Sequence, residues 1–174
     1  MIELLRKRRS IRKYTSEPLQ QEHLDLLKEA LLRSPSSRNK RPWTFIFVDD
    51  KEMISKLARS KAHGSQFLET APLAVVICGD SEITDVWVED CSIAAIILQL
   101  QGEALGIGSC WIQIRNRLHN NDMSAHDYIQ KLLKIPAQLQ VESIIGMGHP
   151  DEEKSPVPVS ELATEKIKIN QYNE

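Results

Sequence analysis

Cysteine is scarce in this chain and forms no pattern. Cys78, Cys91 and Cys110 lie far apart without a CxxC, and their odd number argues against a disulfide framework. A reducing compartment fits that usage, with each cysteine a small buried hydrophobe in apolar surroundings. An excess of one charge is missing too. The net charge of -2 provides no general attraction to nucleic acid or anionic membranes. The first residues meet charge at Glu3 and Arg6 with no apolar stretch before them, so no secretory signal is expected and a cytoplasmic location is. The devices of several enzyme classes are absent as well. There is no GxSxG elbow and no P-loop, and Gly106-x-Gly108 and Gly146-x-Gly148 lack the third glycine of a dinucleotide fingerprint. The five histidines form no HExxH or HxxxH pair, which makes zinc ligation an unlikely expectation. No acid, base and nucleophile combination identifies itself, so an enzyme of this sequence would leave its chemistry to a bound cofactor.

What is present is a soluble-domain composition, 41% hydrophobic and 26% charged over 174 residues, which fits one domain spanning 1–174 with a sizeable core. The chain is organised around the stretch from Asp85 to Leu105, read as one long helix closed by Gly106. Trp87, Cys91, Ala94, Leu98 and Leu105 form one apolar stripe; Val86, Ile93, Ile97, Leu100 and Ala104 form a second. Glu89, Asp90 and Glu103 interrupt it, so it is not expected to span a membrane. One sheet covers one stripe, and the second is expected to need a partner subunit.

Around this spine the pattern predicts a short helix ending near Arg9 and an extended Ile11–Thr15 stretch. A helix capped by Ser16 or Glu17 and stopped before Pro35 follows, then a polar loop over 35–42. Strands are expected at Trp43–Val48, Ala71–Cys78, Ser109–Ile114 and Val141–Met147, with further helices from Asp50 to Arg59 and from Ala125 to Lys134. Strands alternating with helices imply an α/β or α+β sandwich. The tail, 150–174, lacks a core pattern and is expected to be extended, loose or wrapped on a neighbour.

Three segments are candidates for a site. Arg8, Arg9, Ser10 and Arg12 place guanidinium groups around a hydroxyl, an arrangement suited to phosphate, with a solvated basic face as the plain alternative. Pro35, Ser36, Ser37 and Asn39 offer amide and hydroxyl groups fit for the edge of a flat heterocycle, or a polar loop and nothing more. Cys110 to Gln113 ends a strand where backbone N–H groups and an apolar wall meet.

Taken in order, RRSIRKY, SPSSRNKRPW and EALGIGSCWI resemble the nitroreductase family over roughly residues 3 to 154. The resemblance implies an α+β sandwich with a mostly antiparallel sheet, the long helix at a homodimer interface, and one FMN in each of two clefts between subunits. It implies that Arg8, Arg9, Ser10 and Arg12 hold the FMN phosphate and ribityl chain, completed by Lys154. Pro35, Ser36, Ser37 and Asn39 would come from the other subunit, and Trp111, Ile112 and Gln113 would lie beside the isoalloxazine ring with a backbone N–H toward N5. The implied activity is a two-step oxidoreductase in which NADH or NADPH reduces FMN and a small-molecule acceptor, a nitroaromatic or quinone, reoxidises it. A flavin-storage protein without turnover, or a flavin enzyme of another reaction type, shares the same motifs; a nucleic-acid module would need an aromatic platform that the arginines lack.

The sequence departs from the family pattern in places. Arg41 replaces a usual glutamine, Ile114 stands where glycine is common and is expected to narrow the cleft, and Val157, Pro158 and Val159 provide no late arginine.

Overall fold

The computed structural model describes residues 1–172. Four strands form one sheet: β1 (Trp43–Val48), β2 (Leu73–Asp80), β3 (Gly108–Gln113) and β4 (Leu139–Gly148). Their order is β1-β2-β4-β3 and every neighbouring pair is antiparallel. The two inner strands, β2 and β4, are buried almost end to end. That explains the near-continuous apolar run 71–78, since a strand covered on both faces needs no polar alternation.

The helices divide between the two faces. Alternate residues of the inner strands face opposite ways. Val75, Ile77, Ile145 and Met147 pack with Leu27 and Leu31 of α2 (Gln21–Leu32) and with Cys91, Ala94 and Leu98 of α4 (Trp87–Ala104). Val76, Cys78, Ile112 and Ile144 pack on the other side with Ile54 and Leu57 of α3 (Lys51–Ala58) and Ile129 of α5 (Ala125–Leu133). The result is the expected α+β sandwich, and α3 and α5 start where Asp50 and Ser124 accept a backbone N–H from Met53 and Asp127.

The spine helix α4 lies close on the sheet. A Cβ at Gly79 would come within 2.6 Å of the Trp87 ring, and one at Gly102 within 2.7 Å of Met147. Both glycines are needed for this approach. The helix does not bury its whole circumference, however. Cys91, Ala94, Ala95 and Leu98 are fully covered, whereas Ile93 is 40% and Ile96 39% exposed. Of the second stripe, Ile93 and Ala104 are exposed while Val86, Ile97 and Leu100 are half-buried, so this chain leaves an open patch at Ile93 and the neighbouring Ile96 rather than the whole stripe.

Several boundaries differ from expectation: β2 runs 73–80 rather than 71–78, β4 begins two residues before 141, and two helix ends move. The helix expected from Ser16 begins only at Gln21, with no side-chain cap. The preceding chain is committed elsewhere: Tyr14 pairs with Pro150 and the N–H of Thr15 donates to the His149 carbonyl. Helix α1 (Ile2–Lys7) ends two residues early because Arg8 is extended (φ -56°, ψ 123°) and Ser10 pairs with Ser109. The tail carries two short 3-10 turns, Val159–Glu161 and Thr164–Lys166, and Val157, Val159, Leu162, Ile167 and Ile169 are exposed. Its last two residues, 173 and 174, lie outside the described residues. No helix among the described residues is long and apolar enough to cross a membrane.

Candidate functional site

Beyond α1 the chain runs alongside β3 as a short extra strand, with Ser10 paired in parallel to Ser109 and the Ile11 N–H donating to the Ser109 carbonyl at 3.0 Å. Ile11 and Tyr14 anchor it in the core, and the Tyr14 hydroxyl donates to the carbonyls of Ile11 (2.5 Å) and Gly146 (3.1 Å). Between these anchors the basic residues face outward. The segment after β4 then closes on them. Asp151 N–H donates to the Lys13 carbonyl at 2.9 Å, Lys154 Nζ to the Ser10 carbonyl at 2.6 Å, and Arg9 Nη1 to the Ser155 carbonyl at 2.9 Å.

Arg8, Arg9, Ser10, Arg12 and Lys154 thereby line one cavity of about 710 Å³. Its charge is unbalanced. Among the described residues Arg8, Arg9 and Arg12 form no ion pair; of the other lining cations Arg6 is paired with Glu3, and Lys154 with Glu152 at 3.1 Å, whose carboxylate also accepts the Arg12 N–H at 2.5 Å. The backbone bond from Arg12, with help from Lys154, holds the Glu152 carboxyl below its ordinary range. Three uncompensated guanidinium groups and an ammonium make a receptor for a multiply charged anion. Glu152 was missed by the sequence reading. DEEK shows an acid near Lys154, but not that its partner lies 140 residues earlier.

The strand-end residues split by the alternation of the backbone. β3 is an edge strand, and the Ser109 carbonyl points away from β4 toward Ile11. Two-residue alternation turns the N–H groups of Trp111 and Gln113 to that same open side. The Gln113 carbonyl is on that side too, accepting from Lys61 Nζ at 3.2 Å. Trp111 Nε1 donates to Gln113 Oε1 at 3.1 Å, which ties the two side chains together on the face of the sheet where Trp111 packs with the α4 cluster, opposite to Ile112. The Ile112 side chain is buried in the core, and its peptide faces β4. Ile114, expected to narrow the cleft, is fully buried in the same core and does not project into the opening.

The third segment stays apart. Pro35, Ser36, Ser37 and Asn39 sit beside the first turn of α4 and do not line the arginine cavity. The loop is strained: Arg38, Asn39 and Arg41 have φ of 50°, 55° and 50°, in the left-handed region that side chains with a Cβ seldom adopt. It is held by Asp90 Oδ1, which accepts the Ser37 N–H at 2.8 Å, by Ser36 Oγ, which accepts the Arg41 N–H at 2.8 Å, and by Arg41 Nε, which donates to Asn39 Oδ1 at 2.9 Å. A second hollow, about 520 Å³ between Tyr14, Leu24, Asp49 and Pro72, contains none of the expected site residues.

Two other buried groups flank the strand end. A register shift opposite Ile77 and Cys78 makes Glu142 an extra residue in β4, and this bulge aims its carboxylate at α4, where Ser92 Oγ donates at 2.6 Å. Burial pushes the Glu142 carboxyl up against the pull of Ser92 and Ser143. Burial likewise raises the Cys78 thiol to about 12 and suppresses a reactive thiolate there.

Comparison with known proteins places this arrangement. The nitroreductase family model matches residues 5–66 and 56–149. A solved FMN-dependent nitroreductase from Clostridium difficile R20291 is 47% identical, covers 99% of this chain and 100% of its own, and superposes with a TM-score of 0.97. A relative in Archaeoglobus fulgidus, whose name offers both NADH dehydrogenase and NAD(P)H nitroreductase, is 35% identical over 157 residues, 88% of this chain and 87% of its own. The NADPH:FMN oxidoreductase of Vibrio harveyi, solved in complex with NAD+, is 27% identical and covers 99% of this chain and 78% of its own, with a TM-score of 0.85. Matched over nearly its whole length in sequence and in fold, the chain belongs to the nitroreductase family.

Proposed function

We propose that this protein is a cytoplasmic FMN-dependent oxidoreductase, a single FMN-binding domain over 1–174 that works as a homodimer with two shared flavin sites. It passes reducing equivalents from NADH or NADPH to nitroaromatic, quinone or similar acceptors in two half-reactions. The observation that carries the reading is the cavity in which Arg8, Arg9, Arg12 and Lys154 present positive charge that no carboxylate of the described chain neutralises, apart from the Glu152–Lys154 pair. A phosphate monoester fits that donor set, and Ser10 adds a hydroxyl for the ribityl chain.

The isoalloxazine ring would then lie against the open edge of β3, where the N–H groups of Trp111 and Gln113 point, with the Ile112 peptide holding the strand in register on β4. FMN held there would supply the redox chemistry between the reduced nicotinamide and the acceptor. The protein's part is to bind, orient and polarise. The arginines fix the phosphate, and hydrogen-bond donors at the ring stabilise negative charge that develops there, which favours reduction. No side-chain nucleophile is required, in keeping with the absent motifs.

Two features support the dimer. The open stripe of α4, with Ile93 and Ile96, needs a cover, and the tail over 150–174 exposes Val157, Val159, Leu162, Ile167 and Ile169, as a segment that wraps a neighbour would. Pro35, Ser36, Ser37 and Asn39 would then reach the flavin of the partner subunit.

The test is the visible absorption spectrum of purified protein loaded with FMN, freed of excess and titrated without oxygen with NADH and then NADPH. Retained flavin that bleaches is expected. Flavin that stays oxidised with both donors would favour a storage protein, and no retained flavin would overturn the reading.

A further inference from the structure

We propose that Asp90, a buried residue of the spine helix, is a positioning residue for flavin binding: it fixes the strained 35–42 loop in the shape that the partner subunit's site requires. The inference rests on the FMN reading above and adds a role that neither the site motifs nor the family match assigns. Asp90 is 3% exposed, and only one of its oxygens is used: Oδ1 accepts the Ser37 N–H at 2.8 Å, while Oδ2 has no hydrogen-bond partner among the described residues. A half-satisfied buried carboxylate is less favourable than an apolar side chain of similar size. Its presence is accounted for by what Oδ1 holds.

Among the described residues that bond is the one side-chain tie from the Ser36–Asn39 turn to α4, and it acts at the residue just before the strain begins; the loop's other side-chain anchor, Lys40 Nζ donating to the Ile83 carbonyl at 2.8 Å, comes after Asn39 and reaches a segment outside the helix. Arg38, Asn39 and Arg41 all take left-handed backbone angles although none is glycine. Such conformations persist where the surroundings over-determine them. Within the loop, Ser36 Oγ and Asn39 Oδ1 bind Arg41, but these bonds move with the loop and cannot fix it to the fold. Asp90 can, because α4 is packed on the sheet through Cys91, Ala94 and Leu98. The same helix bears the open Ile93–Ile96 stripe, so one rigid element ties together the loop and the surface proposed for the partner.

The test uses the full-length protein and FMN itself, with affinity read from quenching of FMN fluorescence. Asp90→Leu is expected to weaken binding at least about tenfold, the usual consequence of losing a charge-assisted bond that organises a site. Asp90→Asn keeps an acceptor oxygen and is expected to recover most of the affinity. If Asp90→Leu does not fold, Asp90→Glu takes its place, since the added methylene displaces the oxygen while keeping the charge. The distinguishing readout is complementation. Co-expressed Asp90→Leu and Arg8→Ala chains, isolated as the mixed dimer, are expected to hold one flavin tightly, because one of its two sites combines an intact cradle with an intact loop. Purely structural damage would not be repaired by such mixing. Wild-type affinity in Asp90→Leu, equal weakness in Asp90→Asn, or no tight site in the mixed dimer would each overturn the proposal. A wild-type protein that binds no FMN would instead overturn the functional reading beneath it.

Discussion

The arginine cradle and the 35–42 loop are both rich in cationic and polar groups, yet they are held in opposite ways. The cradle is completed inside one chain. Its first half is paired to β3 through Ser10, and its second half is closed by Lys154, Glu152 and Asp151 from beyond β4. The loop is an outlying turn with three left-handed residues, tied to α4 by Asp90 and at its far end by Lys40 to the Ile83 carbonyl, and it faces no cavity shared with the arginines. A segment kept in an unfavourable shape with nothing of its own chain to bind makes sense if its target is on another copy. In this account one chain carries two half-sites, and α4 decides how they meet.

The strongest way to break that comparison is to remove the meeting. Ile93→Glu combined with Ile96→Glu puts two charges on the open stripe of α4 and is expected to give a monomer that retains no FMN, while each cradle keeps its own bonds; sedimentation and flavin content of the purified protein read both. A monomer with tightly bound flavin would show that the cradle suffices alone.

Next in size is the cradle. Arg8→Ala should leave the dimer intact and weaken FMN about a hundredfold, the loss expected when a bidentate charged contact to phosphate goes. Unchanged affinity would remove Arg8 from the site. Glu152→Gln sharpens the same point. It frees Lys154 and loosens the hold on the Arg12 N–H, so about a tenfold loss of affinity is expected although Glu152 itself would repel a phosphate. Tighter binding would mean that its charge outweighs its bracing.

The smallest effect concerns Glu142, which belongs to neither half-site. Its folded-state value lies above the ordinary 4.5, with burial as the leading cause. The sign follows from linkage: the folded protein holds this proton more tightly than the unfolded chain, so the stabilisation is complete below about pH 4.5 and is lost as pH rises through the folded-state value. Glu142→Gln should flatten that part of the stability profile, as measured by thermal midpoints across the acid to neutral range. An unaltered slope would place the titration elsewhere.

The sequence shows the layers of this fold well and its junctions poorly. β1 coincides with the expected 43–48, and the apolar run 71–78 finds the doubly covered strand β2 to within two residues at each end, because patterning follows burial directly. The start of α2 escaped because a local capping signal at Ser16 lost to the pairing of Tyr14 and Thr15 with the far end of β4. Ile114 was read as a wall of the cleft, but side-chain direction at a strand end depends on register, and register sends it inward. The same limit applies at the site. A run such as RRSIR announces an anion receptor by composition alone. Asp90 and Glu152 do not announce themselves, since what they do is set by partners 53 and 140 residues away.

The most direct test of the two half-site account is native mass spectrometry of the FMN-loaded protein, with the flavin count read for each oligomer. Two chains carrying two FMN are expected, with no flavin on any single chain. Single chains that retain FMN would contradict it, because the 35–42 loop would then have no part in holding the cofactor.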